Sequence, residues 1–300
     1  MAQISFHNEV AVITGSALGL GKTYSTLLTD RGASVVVNDI ATDKHGDSLA
    51  EKTVSELKKR GGDAIADTHS VAVREGVDAL IDQTMERYGK VDILVHNAGK
   101  MITKPLEMMS DLEWSSLMDV HLQGAFYLLR RVLPIMRKQE YGRIVLIASS
   151  TGMFGLQDHA GYAAAKSGVV GLGLSVAAEL ESSGICCNLV SPFASTVQTS
   201  NAVNPLMADQ YDPEWVAPLV AYLCSGICKS NGNLYVAGGG YFARSGICEA
   251  EGISINRESL NIEEIADRFG TISDMSNSVY LPSITHAGRK LFKSLLRRER

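Results

Sequence analysis

The sequence predicts an α/β fold: one doubly wound parallel sheet, seven-stranded, in a single domain with a C-terminal extension. Three observations carry that prediction. Short, continuously apolar runs alternate with helical patterns over about residues 5–240, as strands do when helices bury both faces of their sheet. A glycine-rich turn, TGSALGLG, separates the first apolar run from the first helical pattern. The remaining polar candidates fall at the C-terminal ends of the runs, the edge at which open α/β sheets bind ligands.

The strands and helices follow in order. Val10–Thr14 is the first strand, and its helix begins near Lys22. Between them lie Gly15, Gly19 and Gly21. Glycine tolerates positive φ and lets a backbone approach a phosphate, which a helix N-terminus then attracts; the same residues also fit an ordinary turn. The second strand, Ala33–Ile40, contains Asp39, 18 residues past Gly21. An acid there accepts the ribose hydroxyls of an adenosine and repels a 2′-phosphate. Leu18, Asn38 and Ile40 offer no counter-charge for such a phosphate, which favours NAD over NADP.

A polar helix over about Asp47–Arg60 leads to a third strand, DAIADTHSV, ending at Ser70-Val71. A helix to about Tyr88 precedes Val91–Val95, a buried strand that runs into HNAG. Asn97 there suits either backbone or a cofactor, and Ala98-Gly99 leaves room for a flat ligand. A helix over about Asp111–Met136 carries VHLQGAF, and Arg143–Ala148 is the fifth strand, with Ser149 at its C-terminal end. ICCNLVSP forms a sixth strand, followed by a polar loop over Phe193–Asp212 with Thr196 and Thr199. A helix over Pro213–Ser225 and a strand over Asn233–Ala237 complete the domain at Gly238-Gly239-Gly240.

The chemistry concentrates in Ser149–Lys166, SSTGMFGLQDHAGYAAAK. If Ala160 onward is helical, Tyr162 and Lys166 share a face one turn apart. An ammonium so placed favours the phenolate and lowers the tyrosine pKa from about 10. Such a tyrosine exchanges a proton with a substrate hydroxyl or carbonyl.

Composition excludes several classes. The chain has 300 residues, 45% hydrophobic and 20% charged, with a net charge of −5. That is ordinary for a soluble globular protein and gives no general electrostatic case for nucleic acid. The five cysteines lack CxxC spacing and a neighbouring His cluster, so no metal site is expected and buried free thiols in a reducing compartment are. No apolar run reaches the roughly 18 residues of a membrane span. The start, MAQISFHNEV, resembles no secretory or transit segment, and a cytoplasmic location is expected. The tail, about Tyr241–Arg300, alternates strand-like Ile253–Ile255 with helix-like Ile262–Phe269 and Thr285–Leu296. It ends in a basic run, Arg289, Lys290, Lys293, Arg297, Arg298 and Arg300, which reads as a solvated face ahead of an anionic contact.

Taken together, TGSALGLG, HNAG, Ser149…Tyr162-x3-Lys166 and NLVSP resemble the short-chain dehydrogenase/reductase family, in its order and spacing, over about residues 5–240. The resemblance implies a Rossmann-type NAD site with Gly15, Ser16, Leu18, Gly19, Leu20, Gly21, Asp39, Ser70, Val71, Asn97, Ala98, Gly99, Tyr162, Lys166, Pro192, Ala194 and Thr196. It implies Tyr162 as general acid/base, Lys166 also holding the nicotinamide ribose, and Ser149 orienting the substrate oxygen. Details such as VVVND, MDVHLQGAF, YGRIV and NGNLYVAGGGY resemble one branch, the (3R)-hydroxyacyl-CoA dehydrogenase part of peroxisomal multifunctional enzyme type 2. By that resemblance His121 stands where most of the family has Asn and links Lys166 to solvent through water. Pro192-Phe193 and Ser70-Val71 depart from the usual Pro-Gly and Asp-Val. The implied substrates are a secondary alcohol or ketone, an acyl-CoA, or alternatively a steroid or small secondary metabolite; a non-catalytic nucleotide-binding scaffold is the remote alternative. The chain lacks a peroxisomal Ser-Lys-Leu ending, although the branch keeps the peroxisome open. The Gly/Ala-rich faces of 117–136 and 160–180 suggest a homodimer or homotetramer, with the tail packing on the domain or a neighbouring subunit.

Overall fold

Residues 3–194 and 211–296 are described by the computed structural model. Val10–Thr14 (β1) is buried at every position. It lies between Ser34–Asn38 (β2) and Ile93–His96 (β4), parallel to both. Asp63–Asp67 (β3), Gly142–Ile147 (β5), Ile185–Pro192 (β6) and Leu234–Gly238 (β7) extend the parallel sheet, in the order β3-β2-β1-β4-β5-β6-β7.

The alternation of side chains along each strand divides the core in two. Ala11, Ile13, Val35, Val37, Val95 and Val145 face Gly19–Asp30 (α1), Leu49–Lys59 (α2) and Ala217–Cys224 (α8). Val12, Val36, Leu94 and Ile144 face Arg74–Tyr88 (α3), Gly124–Gln139 (α5) and Ala160–Glu179 (α7). Both faces are apolar because both are covered, which is why the strands read as continuous apolar runs.

Several details differ from the sequence reading. An eighth strand, Tyr241–Ser245 (β8), adds to the edge beside β7. Gly239 and Gly240, at φ +56° and +79°, form the two-residue turn into it; two positive φ values match the twist of a hairpin. Second, β3 stops at Asp67 instead of reaching Ser70-Val71. The Asp67 carboxylate accepts the His69 amide at 3.1 Å and the Asn38 side-chain amide at 2.6 Å, so an aspartate turn ends the strand. Third, the helix expected over 111–136 is Asp111–Met118 (α4), a π turn over Asp119–Gln123, and α5. Fourth, the Pro213–Ser225 helix begins as a separate 3-10 turn, Pro213–Trp215, before α8. A short helix, Ser150–Phe154 (α6), also stands between Ser149 and α7. Cys187, Cys224 and Cys228 are buried free thiols, whereas Cys248 is exposed.

The chain divides into two units, Met1–Arg244 and Ser245–Arg300. The second holds a two-stranded antiparallel pair, Cys248–Glu249 (β9) with Val279–Tyr280 (β10), and the helices Ile262–Ile272 (α9) and Ile284–Leu296 (α10). Ile253–Ile255, expected to be strand-like, has no regular structure.

Candidate active site

The end of β5, the helix α7 and the π turn converge on Tyr162. β5 ends in Ile147 and delivers Ser149, whose hydroxyl caps α6 by accepting the Thr151 amide at 3.2 Å. The α7 helix begins at Ala160, so Tyr162 lies in its first turn and Lys166 one turn later. Lys166 is buried, and its ammonium donates to the Ile147 carbonyl at 2.6 Å. The same Nζ lies 5.9 Å from the centre of the Tyr162 ring. A hydrogen bond joins the Ser149 and Tyr162 side chains. Ser149, Tyr162 and Lys166 are therefore brought to one point.

The electrostatics differ from the expectation that Lys166 depresses Tyr162. Burial dominates and pushes the Tyr162 phenol up, with the Ser149 hydrogen bond pulling it partly back. Burial likewise pushes Lys166 down, to about 7. A low-dielectric site disfavours each charged form. Lys166 therefore changes protonation near neutrality, where an exposed lysine does not.

His121 occupies the middle of the π turn, buried, with its ring edge-on to Tyr162 at 5.3 Å between centres. Its Nε2 lies 2.8 Å from the Lys100 carbonyl. The Lys100 amide lies 3.3 Å from the same nitrogen; the carbonyl contact is the shorter and a carbonyl only accepts, which favours the tautomer with the proton on Nε2 and the lone pair on Nδ1. That Nδ1 is buried and has no hydrogen-bond partner among the described residues. Burial and the Lys166 charge hold the imidazole well below its ordinary pKa, hence neutral. Gly99 makes room for it: a Cβ there would come within 2.3 Å of His121 Cε1.

The glycine-rich turn fits a dinucleotide's phosphates. Helix α1 has no side-chain cap and no acid in its first turn, which leaves its N-terminal amides and positive dipole end to an anion. Gly15, at φ +62°, lies against Ala98, whose Cα would be 2.6 Å from a Cβ at Gly15. Leu18 is exposed beside the helix start, and Leu20 is buried. Ser16 is buried, with its hydroxyl donating to the Ile13 carbonyl at 2.6 Å. The Asp39 carboxylate, just past β2, accepts the amides of Ala17 and Ala41, each at 3.0 Å. It therefore stands beside the turn, where a ribose would lie.

Other named residues make contacts within the chain. The Asn97 amide donates to the carbonyls of Thr14 at 3.1 Å and Gly15 at 2.7 Å, the backbone alternative of the two the sequence offered. The Ser70 hydroxyl accepts the Ala72 amide at 3.2 Å, and Val71 packs in the core. Pro192 ends β6 and Ala194 packs against the core cluster beside β1 and β2. Thr196 and Thr199 lie outside the described residues, as do Arg297, Arg298 and Arg300. Sequence reasoning passed over His96, which packs behind His121; its signal was an imidazole in HNAG at a strand end.

The sequence profile of the short chain dehydrogenase family matches residues 9–207. The chain belongs to that family, and is an oxidoreductase of the kind that acts on small molecules with a nicotinamide cofactor. It is 34% identical to peroxisomal multifunctional enzyme type 2 of Drosophila melanogaster, over 98% of this chain and 50% of that protein. The solved full-length structure of that enzyme matches with a TM-score of 0.83 at 30% identity, over 98% of this chain and 50% of that one. A short chain dehydrogenase from Mycobacterium avium matches with a TM-score of 0.80 at 29% identity, over 90% of this chain and 97% of that one. The chain thus spans about half the length of the multifunctional relative. Among the described residues no helix is long and apolar enough to cross a membrane.

Proposed function

We propose that this chain is an NAD-dependent dehydrogenase moving a hydride between a secondary alcohol or ketone and the nicotinamide, with (3R)-3-hydroxyacyl-CoA as its substrate class. The observation that carries the reaction is the convergence of Ser149, Tyr162 and Lys166, with Lys166 tied to the Ile147 carbonyl. The Asp39 carboxylate beside the glycine-rich turn supports NAD over NADP, because a 2′-phosphate there would meet like charge. The similarity to peroxisomal multifunctional enzyme type 2 of Drosophila melanogaster supports a peroxisomal setting, and similarity to a 3-oxoacyl-[acyl-carrier-protein] reductase of Synechocystis, 36% identical over 72% of this chain, supports the acyl substrate class.

Bound nicotinamide supplies the hydride acceptor. In the oxidative direction Tyr162 Oη takes the proton of the substrate hydroxyl. Ser149 Oγ orients the same oxygen, and its hydrogen bond lowers the Tyr162 pKa toward the working range. Lys166, when protonated, favours the phenolate, and its pKa of about 7 lets it give up a proton at neutral pH. His121 Nδ1, buried and without a partner among the described residues, is the acceptor for a water that would carry that proton between Lys166 and solvent. A homodimer or homotetramer is the expected assembly.

The test is a panel of (3R)-3-hydroxyacyl-CoAs, steroids and simple secondary alcohols, each with NAD+ and with NADP+. NADH formation from the acyl-CoAs is expected. Turnover confined to NADP+ would overturn the cofactor assignment, and turnover confined to steroids or simple alcohols would overturn the substrate class.

A further inference from the structure

Two histidines lie one behind the other at this site, and only the one nearer Tyr162 has a role so far. His96 ends β4, in register with Thr14 of β1. It is buried, with its Nε2 3.0 Å from the His121 carbonyl and its Nδ1 3.0 Å from the Thr14 hydroxyl. The first contact fixes the rest. The His121 carbonyl accepts only, so His96 Nε2 carries the ring proton. A neutral imidazole then has a bare Nδ1, and the Thr14 hydroxyl must donate to it. Burial and the nearby Lys166 charge push His96 down to about 4, so it stays neutral through the working range.

The carbonyl that His96 meets belongs to the centre of the π turn. A π turn disturbs the regular helical ladder, and such turns are held where another group engages the backbone. His96 supplies that group from the strand side. Thr14 Oγ1 also accepts the amides of Asn97 and Ala98, each at 3.1 Å. One unbroken set of hydrogen bonds therefore runs from the end of β1, beside the glycine-rich turn, through His96 to the backbone of His121. It ends at the backbone of the residue whose imidazole stands edge-on to Tyr162, with Nδ1 unpartnered among the described residues.

We propose that His96 is a positioning residue for the reaction: by holding the His121 carbonyl it fixes the π turn and so aims the His121 ring that links Lys166 to solvent during proton release. The proposal rests on the dehydrogenase reading above. The charged or titratable groups facing this pair are Lys166 from α7, Lys100 from the loop after β4, and Tyr162.

The experiment uses the full chain with NAD+ and the alcohol that the wild type oxidises fastest. His96→Leu keeps the bulk and removes both hydrogen bonds. Its kcat is expected to fall at least about tenfold, with the KM for alcohol held within about threefold, because the reacting groups are misaligned and binding is not lost. The pH–rate profile of kcat is expected to shift as well, which a purely structural loss would not produce. His96→Gln has an amide that can donate to the carbonyl and accept from Thr14, and is expected to recover most of kcat and the wild-type profile. Wild-type kcat and profile in a folded His96→Leu protein would overturn the proposal, as would a His96→Gln enzyme no faster than His96→Leu. If His96→Leu does not fold, the imidazole nitrogen NMR spectrum of the wild type decides. Neutral Nε2–H tautomers of both His96 and His121, unchanged from about pH 6 to 9, are expected; an Nδ1–H tautomer at either, or titration in that range, would overturn it. Failure of the wild type to oxidise any alcohol would sink the dehydrogenase reading itself, whereas normal wild-type turnover with an indifferent His96→Leu would sink only the role of His96.

Discussion

At the scale of single residues, Lys166 is held where the proposed proton transfer needs it and stability does not. Its folded pKa lies near 7, against about 10.5 for the free group. Below about pH 7 both folded and unfolded chains are protonated and the burial penalty is complete. Between the two values the unfolded chain keeps a proton that the fold has released, so the penalty fades as pH rises. Lys166→Met is therefore expected to be inactive yet to melt at a higher temperature than wild type near pH 6, with the gap narrowing toward pH 9; thermal melts across pH check this, and a variant that melts lower at every pH would contradict it. Ser149 works in the other direction. Its hydrogen bond lowers the Tyr162 pKa, so Ser149→Ala should move the rising limb of the oxidation pH–rate profile to higher pH and cut kcat by about 10²-fold or more. An unshifted limb would place Ser149 outside the proton-transfer step. At the opposite end of the sheet Glu9 is raised by burial, and one of its oxygens has no partner among the described residues. A raised carboxyl costs stability above its unfolded pKa, so Glu9→Gln should melt higher than wild type at pH 8 and gain less at pH 4.

At the scale of elements, the strand ends and the π turn set the geometry. Gly99 admits the His121 ring, so Gly99→Ala must displace that imidazole or the loop. Turnover is expected to fall about tenfold or more with little change in NAD affinity, measured by kinetics beside nucleotide titration; an equal loss of both would assign Gly99 to the cofactor instead. The regular elements were legible because period-two and period-3.6 patterns report burial directly: β1, β2 and α7 stand where their apolar runs predicted. The π turn was not, since nothing in Asp119–Gln123 announces it, and His96, which meets the His121 carbonyl, comes from a distant strand. Nor was the end of β3, which depends on Asp67 meeting Asn38, 29 residues earlier in the chain. Glycines in α7 show the same limit. Gly161, Gly168 and Gly173 admit Met109, Leu122 and Leu146 of the same chain; Gly171 has nothing close among the described residues, so a small-residue face alone does not announce a subunit contact.

At the scale of the molecule, the candidate site is assembled from residues far apart in sequence, so motifs mark its members more readily than their protonation states. The spacing of Ser149, Tyr162 and Lys166 was readable, and so was Asp39. The neutral state of His121, the depressed Lys166 and the raised Tyr162 were not, because each arises from burial that only the folded core creates. The second unit exposes Ile262, Phe269, Leu291 and Phe292 on α9 and α10, apolar surface of the kind that interfaces use. Truncation after Arg244 is expected to lower the oligomeric state seen by size-exclusion chromatography with light scattering; an unchanged oligomer would remove the tail from the assembly. The central claim is that Tyr162 moves the proton while Asp39 and the glycine-rich turn hold NAD. It is tested most directly by Tyr162→Phe, with NAD affinity measured beside NADH formation. The variant should bind NAD with an affinity close to wild type and form NADH at least about 10²-fold more slowly, whereas near-wild-type NADH formation would contradict the claim.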